Sequence, residues 1–285
     1  MALDTARLLI TCPDAKGIIA AVAGFIVDNH GNILYADQHT DPLTGEFFMR
    51  VEIELAGFGL DEETFSAAWA GIADRFGMTW RVHWGTKVKR MAILVTKEGH
   101  CVSDLLWRWS NRELMVDVPV VVGNHDLLAD TVEGYGVEFR HQPVTRKTRE
   151  TQEARVLEVL REAEVDFVVL ARYMQVLSPA FVAEYPARII NIHHSFLPAF
   201  AGARPYHQAH ERGVKLIGAT SHYVTDELDQ GPIIVQQTTP IGHRDTLDDL
   251  IRKGRDLERV VLANAVRLHV QDRILVSGNK TIVFD

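Results

Sequence analysis

The sequence predicts a two-domain α/β protein, with a ferredoxin-like βαββαβ domain followed by a Rossmann-like domain in which helices cover a mostly parallel sheet. Two observations support this class. Residues 1–84 alternate strand and helix patterns in the order βαββαβ, whereas residues 91–285 contain near-continuous apolar runs separated by helical segments. Between them, residues 85–90 read GTKVKR, a short polar and basic stretch that we interpret as the linker.

Hydrophobic periodicity defines the elements of the first domain. The strand at Glu46–Glu54 alternates apolar and polar residues, which predicts one buried face and one solvent-exposed face. Turn residues and acidic helix starts separate the elements. The predicted elements are a strand at Leu8–Thr11, a helix at Ile18–Asp28, strands at Ile33–Gln38 and Glu46–Glu54, a helix from Asp61 to about Arg75, and a strand at Thr79–Trp84.

The second domain is predicted from apolar runs without alternation, because a strand buried on both faces is typical of a parallel sheet covered by helices. Four such runs occur at Met91–Thr96, Val118–Val122, Phe167–Leu170 and Ile189–Ile192. Later strands at Leu216–Val224 and Ile233–Thr238 and a helix from about Thr246 to Val270 complete the domain. In an open parallel sheet, ligands bind at the carboxyl ends of the strands.

Composition excludes several classes of partner. The chain of 285 residues carries a formal net charge of -8 and no long run of Lys or Arg, so a nucleic-acid partner is not expected. No secretory peptide or membrane span is expected, because acidic and basic residues interrupt the apolar stretches. The two cysteines, Cys12 and Cys101, are far apart, which suits a reducing compartment. We therefore expect a soluble cytoplasmic protein.

The stretch NIHHSFLP, residues 191–198, places polar groups at the end of a buried strand. Asn191 and His193 are two residues apart, so an extended chain puts both side chains on one face, and His194 is then expected to point the other way. This spacing predicts that Asn191 and His193 face the crevice at the sheet edge. The alternative is that they merely hold the loop at residues 195–203.

A second polar stretch, SHYVTDELDQGP at residues 221–232, supplies Asp226, Glu227 and Asp229. Acids in a turn are usually solvated, but Asn, His and Asp together provide oxyanion donors and a carboxylate, which acyl transfer requires. A metal site is not expected. Several histidines are near in sequence, yet only His207 and His210 have a helical spacing, and no HExxH frame surrounds them.

The segments NIHHSFLPAFAGARPYHQAHERG and GATSHYVTDELDQGPIIVQQ resemble the formyltransferase family that uses 10-formyltetrahydrofolate. The leader LLITCPDAKGIIAAV resembles an ACT regulatory domain. This combination is similar to the family members that hydrolyse 10-formyltetrahydrofolate to formate and tetrahydrofolate and so supply formate for purine and one-carbon metabolism. The resemblance implies a hydrolase without a cofactor, since the folate is the substrate.

The resemblance also implies roles for particular residues. Asn191, His193 and Asp229 match the family's catalytic positions, although the sequence does not decide the protonation state of His193. His222 is either an active-site neighbour or a buried structural histidine, and Arg204 and Tyr206 receive no role. The implied folate-binding residues are Tyr173, Met174, Gln175, Val176, Leu177, Thr225 and Asp226, with core packing as an equal alternative for Tyr173 and Met174.

The loop after the first strand of the second domain bears on the acceptor. It reads TKEGHCVSDLL with a single glycine, Gly99, so a phosphate-binding nest is not expected and water fits as the acceptor. One alternative is a transferase that passes the formyl group to an amine. A second alternative is an amino-acid sensor in which the leader domain carries the function.

The ACT-like leader implies an effector site. The turn CPDAKG places Asp14 and Gly17 at a helix start, where Asp14 is expected to cap the helix and an amino acid is expected to bind between paired copies. A homo-oligomer is therefore expected. A plain helix start is the alternative.

Overall fold

The computed structural model of the chain describes residues 4–145, 147–199 and 205–284. The chain divides into two compact units. Unit 1 comprises Met1–Val88, Gln271–Ser277 and Ile282–Asp285, and unit 2 comprises Lys89–Val270 and Gly278–Thr281. The division differs from the predicted one at the end of the chain, because the sequence analysis assigned all of residues 91–285 to the second domain.

Unit 1 has the predicted βαββαβ order. Its elements are β1 Thr5–Pro13, α1 Ile18–Asp28, β2 Asn32–Thr40, β3 Glu46–Glu54, α2 Glu62–Phe76 and β4 Thr79–Trp84. The strands form an antiparallel sheet in the order β2-β3-β1-β4. Phe25 of α1 packs edge-on against Phe65 and Trp69 of α2, so large aromatic side chains fill the core between helices and sheet.

The prediction that β3 has one solvent-exposed face is wrong, because the chain's last residues cover that face. Phe48 packs with Leu275 and Phe284. Arg50 donates from Nε to the carbonyl oxygen of Asp272 at 3.0 Å and from Nη2 to Glu52 at 2.9 Å. Alternation read along one strand cannot reveal this cover, because the covering residues lie more than 200 positions away.

Unit 2 is built on a seven-stranded sheet in the order β11-β10-β9-β8-β5-β6-β7. Neighbouring strands from β5 to β9 pair in parallel, whereas β10 runs antiparallel to both β9 and β11. The predicted mostly parallel sheet is thus confirmed. The elements are β5 Arg90–Val95, α3 His100–Ser110, β6 Asp117–Gly123, α4 Ala129–Glu133, β7 Glu138–His141, α5 Arg149–Glu162, β8 Phe167–Ala171, α6 Pro179–Glu184, β9 Ile189–His193, α7 Pro205–Arg212, β10 Leu216–Tyr223, β11 Ile233–Pro240 and α8 Leu247–Val270.

The strand order places a crevice beside β5. From β5 the chain moves outward to β6 and β7, and then returns to add β8 and β9 on the other side of β5. The carboxyl ends of β5 and β8 therefore flank a topological switch point, the place where open parallel sheets bind ligands. A further small sheet joins β12, Ile274–Ser277, to β13, Lys280–Val283. Within the described ranges, no helix has the length and apolar content needed to cross a membrane.

Candidate active site

The carboxyl end of β9 carries the asparagine and histidine that the sequence analysis selected. The strand includes Asn191 and His193, and both side chains line the same cavity. His193 is buried, with 6% of its surface exposed. The period of two along a strand therefore brings these two groups to one face, next to the switch point.

A histidine from the neighbouring strand orients the Asn191 side chain. In the antiparallel β9–β10 pair, His222 lies directly opposite Asn191, and Asn191 Nδ2 is 3.2 Å from His222 Nε2. His222 Nδ1 donates to the carbonyl oxygen of Tyr223 at 2.8 Å. Because a carbonyl can only accept, Nδ1 carries the proton and Nε2 accepts from Asn191. Burial lowers the pKa of His222, which favours this neutral ring.

A carboxylate holds the His193 ring from the other side. Asp229 Oδ1 lies 3.2 Å from His193 Nδ1. The hydrogen bond from His193 lowers the pKa of Asp229, so this carboxyl group is ionised at neutral pH. His193 Nε2 is buried and has no hydrogen-bond partner within the described part of the chain. The ring is thus fixed through Nδ1, which leaves Nε2 as the ring nitrogen without a partner among the described residues.

The turn after β10 presents this carboxylate. Asp229 has a φ of 58°, in the left-handed region that Asp tolerates better than most residues. Any side chain at Gly231 would overlap the carbonyl oxygen of Tyr223, so only glycine lets the turn fold back this closely. Tyr223 N donates to the carbonyl oxygen of Pro232 at 2.9 Å and closes the turn.

These groups open into a cavity of about 670 Å³, a size typical of small-molecule sites. All of the predicted folate-binding residues line it, namely Tyr173, Met174, Gln175, Val176, Leu177, Thr225 and Asp226. Tyr173 also belongs to the core and accepts a hydrogen bond from Gln152 at 3.2 Å, so the core-packing alternative holds for it, and its role towards folate stays a prediction. Met174 is 56% exposed, which excludes the core-packing alternative for that residue.

Comparison with known proteins agrees with this arrangement. Residues 89–266 match the formyl transferase family, and residues 6–64 match the ACT domain. The chain is 51% identical over 280 residues to a formyltetrahydrofolate deformylase of Synechocystis sp., with 98% of each chain covered. A crystal structure of a formyltetrahydrofolate deformylase from Pseudomonas syringae pv. tomato has a TM-score of 0.97 and 48% identity, covering 99% of this chain and 94% of that one.

The chain belongs to the formyltetrahydrofolate deformylase family. The glycinamide ribonucleotide transformylase 1 of Symbiobacterium toebii is a more distant relative, with a TM-score of 0.66 and 31% identity, covering 70% of this chain and 95% of that one. The deformylase likeness therefore extends over the whole chain, whereas the transformylase likeness does not.

A second polar cluster lines the cavity of this deformylase-family chain. Glu258 of α8 is only 1% exposed, and it accepts from Tyr206 Oη at 2.6 Å and His100 Nε2 at 2.8 Å. Arg172 Nε lies 3.5 Å from the same carboxylate. We call Glu258, Tyr206, His100 and Arg172 the Glu258 cluster. The sequence analysis did not assign a role to any of them, and Arg204, which it also left open, lies outside the described residues.

The Glu258 carboxylate stays ionised despite its burial. Desolvation acts to raise its pKa, but the hydrogen bond from His100, the charge of Arg172 and the hydrogen bond from Tyr206 together lower it. One sequence signal could have identified this residue. Glu258 occupies the apolar face of α8, four positions from Gly254 and from Leu262, where a buried acid demands partners.

The prediction that His194 points away from the crevice is wrong. β9 ends at His193, so the alternation of a strand does not extend to the next residue. The His194 ring lies 5.2 Å from that of His193 and 5.9 Å from that of Tyr206, and it lines the same cavity. Burial, reinforced by Arg172, lowers the pKa of His194 to about 4. His194 is therefore a neutral group between the two clusters.

One group of side chains within the described ranges has the spacing of metal ligands: His100, Cys101 and Glu258. It contains none of the histidines considered in the sequence analysis. Its carboxylate already accepts two hydrogen bonds and faces the cation of Arg172. Burial also raises the pKa of the Cys101 thiol well above its usual value, whereas a metal requires the thiolate. These features disfavour a cation at this position.

The predicted effector loop lies in unit 1, between β1 and α1. Gly17, with a φ of 96°, is the N-cap of α1, and no side chain caps the helix. The prediction that Asp14 caps the helix is therefore wrong. Asp14 N instead donates to the carbonyl oxygen of Gly45 at 2.8 Å, and its side chain is exposed.

Proposed function

We propose that this chain hydrolyses 10-formyltetrahydrofolate to formate and tetrahydrofolate, with Asn191, His193 and Asp229 as its catalytic residues. The observation that carries the proposal is the state of His193. Its Nδ1 is held by an ionised carboxylate, its Nε2 has no hydrogen-bond partner among the described residues, and Asn191 lines the same cavity. With a proton on both ring nitrogens, His193 is a donor in addition to the Asn191 amide, and a developing oxyanion requires such donors.

The cavity rim supports a flat, largely apolar substrate. Met174, Val176 and Leu228 line the cavity, although they are 56%, 51% and 62% exposed. Large apolar side chains that are exposed together mark a surface that binds a ligand or a partner. A bound folate would cover these side chains. Met174 and Val176 are among the residues that the family resemblance assigned to folate binding, and Leu228 follows the assigned Thr225 and Asp226 in the same turn.

The chemistry follows from the positions of the three groups. A water oxygen attacks the formyl carbon, and the Asn191 amide and the His193 ring stabilise the oxyanion that forms. The bond between the formyl carbon and N10 then breaks. One water proton ends on N10, the other is released as formate ionises, and Asp229 is placed to carry the proton that moves. No side chain acts as a nucleophile.

The loop after β5 supports water as the acceptor. A helix start that binds phosphate offers free backbone N–H groups and no competing negative charge. Here Glu98 and Glu258 both line the cavity beside the start of α3, and Glu98 pairs with Arg255 at 2.8 Å. Each of the two carboxylates is paired with an arginine of the cavity wall, Arg255 for Glu98 and Arg172 for Glu258, so neither cation is free to bind the phosphate of a nucleotide acceptor.

The test is an assay of purified protein with 10-formyltetrahydrofolate and no acceptor. We expect formate and tetrahydrofolate in equal amounts, and no increase in turnover when glycinamide ribonucleotide is added. Formylated glycinamide ribonucleotide as the main product would establish the transferase instead. No turnover under either condition would favour the amino-acid sensor.

We also propose that unit 1 binds an amino-acid effector at the loop of Asp14 and Gly17 and that the chain forms a homo-oligomer. The loop is exposed, and Gly17 leaves its backbone open to close approach. Calorimetric titration with glycine and methionine tests the effector, and the absence of any heat of binding would contradict it. The two cysteines are buried and free, which fits the reducing cytoplasm that we propose as the location.

A further inference from the structure

Arg172 has an unusual backbone for a large residue. It follows β8 directly, and its φ of 61° lies in the left-handed region. Glycine adopts this conformation freely, whereas a side chain such as that of arginine strains it. Such a conformation costs about 1–3 kcal/mol and persists where the surrounding structure holds it.

The Arg172 side chain lies on the cavity wall and is only 14% exposed. Its ion-pair partner among the described residues is Glu258, at 3.5 Å from Nε. Nε is buried and makes no hydrogen bond there, so charge attraction holds the guanidinium rather than a directional bond. The burial of this cation therefore depends on the Glu258 carboxylate.

Glu258 is a fixed anchor for that cation. Tyr206 and His100 hold its two oxygens from different elements, α7 and α3. One turn earlier on α8, any side chain at Gly254 would overlap the Tyr206 ring, so the helix and the tyrosine are in close contact. The carboxylate cannot move without breaking these contacts.

We infer that Arg172, anchored by Glu258, closes the acceptor side of the cavity to amines and leaves access for water. This inference rests on the proposed hydrolysis. If folate covers the apolar rim, an acceptor has to approach the formyl group from the side of the cavity that the Glu258 cluster lines. We call this the acceptor side. An amine would have to displace the buried guanidinium, and its protonated form would be repelled by the same positive charge.

The competing reaction needs no other catalytic group. An amine nitrogen would attack the formyl carbon, the bond to N10 would break, the amine would lose one proton and N10 would gain one. The products would be a formylated amine and tetrahydrofolate. Because Asn191, His193 and Asp229 can serve either reaction, access decides which acceptor reacts.

The experiment compares Arg172→Gly with the wild-type protein in the presence of 10-formyltetrahydrofolate and glycinamide. Glycine suits the backbone at this position, so the variant is expected to fold. Mass spectrometry gives the ratio of formylglycinamide to formate. We expect this ratio to rise about tenfold or more in Arg172→Gly, the scale on which a site discriminates by a small difference in fit.

Arg112→Gly is the matched control. Arg112 also has a φ of 61°, but it is exposed in the turn after α3 and does not line the cavity. Its replacement removes the same charge and relieves the same backbone strain, so the product ratio is expected to stay at the wild-type value. Arg172→Lys keeps a cation and is expected to give a ratio between those of wild type and Arg172→Gly.

An unchanged ratio in folded Arg172→Gly would overturn the inference. Loss of hydrolysis without any gain of transfer would also overturn it, because Arg172 would then serve the hydrolysis itself. If Arg172→Gly does not fold, Arg172→Ala is assessed by the same two criteria. Failure of this inference can be distinguished from failure of the proposed function. If the proposed function is wrong, wild-type protein releases no formate from 10-formyltetrahydrofolate alone.

Discussion

Two polar clusters share one cavity in this protein, and they differ in how their carboxylates are held. In the proposed catalytic cluster of Asn191, His193 and Asp229, the carboxylate pairs with His193 Nδ1 at 3.2 Å, and His193 Nε2 is buried without a partner among the described residues. In the Glu258 cluster, both carboxylate oxygens accept hydrogen bonds. An unsatisfied buried polar atom costs about 1–3 kcal/mol. Each cluster holds one such atom among the described residues, His193 Nε2 in the first and Arg172 Nε in the second.

The two carboxylates also keep their charge for different reasons. The hydrogen bond from His193 is the largest cause that lowers the pKa of Asp229, and the nearby rings of His193, His222 and His194 add to it against the cost of burial. The pKa of Glu258 is lowered only because three partners together outweigh its burial. Asp229 is thus coupled to histidines at the ends of two neighbouring strands, whereas Glu258 belongs to a network that holds several helices together. The following predictions test this contrast.

The largest effect is expected for His193→Ala. The change removes the ring whose Nδ1 lies 3.2 Å from Asp229 and which lines the cavity, so kcat should fall about a hundredfold to a thousandfold. Steady-state turnover of 10-formyltetrahydrofolate measures this. His210→Ala, on the exposed face of α7, is the control and should retain wild-type kcat. A kcat within threefold of wild type in His193→Ala would show that the first cluster is not catalytic.

A loss of about a hundredfold in kcat is expected for Asp229→Asn, which keeps the size of the side chain but removes its charge. The neutral amide can no longer favour a proton on His193 Nδ1. KM should change little, because the acid faces the histidine rather than the apolar rim. A raised KM with unchanged kcat would instead assign Asp229 to substrate binding.

Tyr206→Phe should affect stability more than turnover. It removes a hydrogen bond of 2.6 Å to a buried carboxylate, which should lower the free energy of unfolding by about 1.5–3 kcal/mol, while kcat falls less than tenfold. Urea denaturation measures the stability. Tyr185→Phe is the control, since no hydrogen bond of its hydroxyl is found in the described ranges. A hundredfold loss of kcat in Tyr206→Phe would erase the distinction between the two clusters.

The smallest effect concerns His194, which lies between the clusters. Its pKa in the folded protein is about 4, below the value of about 6.5 in the unfolded chain. The unfolded state therefore binds the proton first, and the stability contributed by neutral His194 is lost as pH falls from 6.5 towards 4. Between pH 7 and pH 5 this amounts to about 2 kcal/mol.

His194→Gln should remove this part of the pH dependence. The decrease in the free energy of unfolding between pH 7 and pH 5 should be smaller in the variant than in wild type by up to about 2 kcal/mol, measured by urea denaturation at both pH values. His210→Gln should behave as wild type. An identical decrease in His194→Gln and wild type would mean that His194 is not held neutral between the clusters.

Local pattern determined much of the fold. Helix α1 and strands β3 and β4 begin and end at the residues expected from periodicity and turn chemistry. Strand β7 was not predicted, because four residues reading EFRH carry no apolar run. The antiparallel direction of β10 was not predicted either, since the hydrophobicity of a buried strand is the same in both directions.

The sequence by itself selected the residues of the proposed catalytic cluster. Asn191 and His193 follow from the period of two along one strand, and the family resemblance selected Asp229 from the three acids of residues 221–232. Only the tertiary structure decided the rest. His222 reaches Asn191 through the register between β9 and β10. The Glu258 cluster joins residues up to 158 positions apart, and His194 enters the cavity because the strand ends before it. Spacing along a chain predicts neighbours within one element, whereas contacts between elements depend on how the whole core packs.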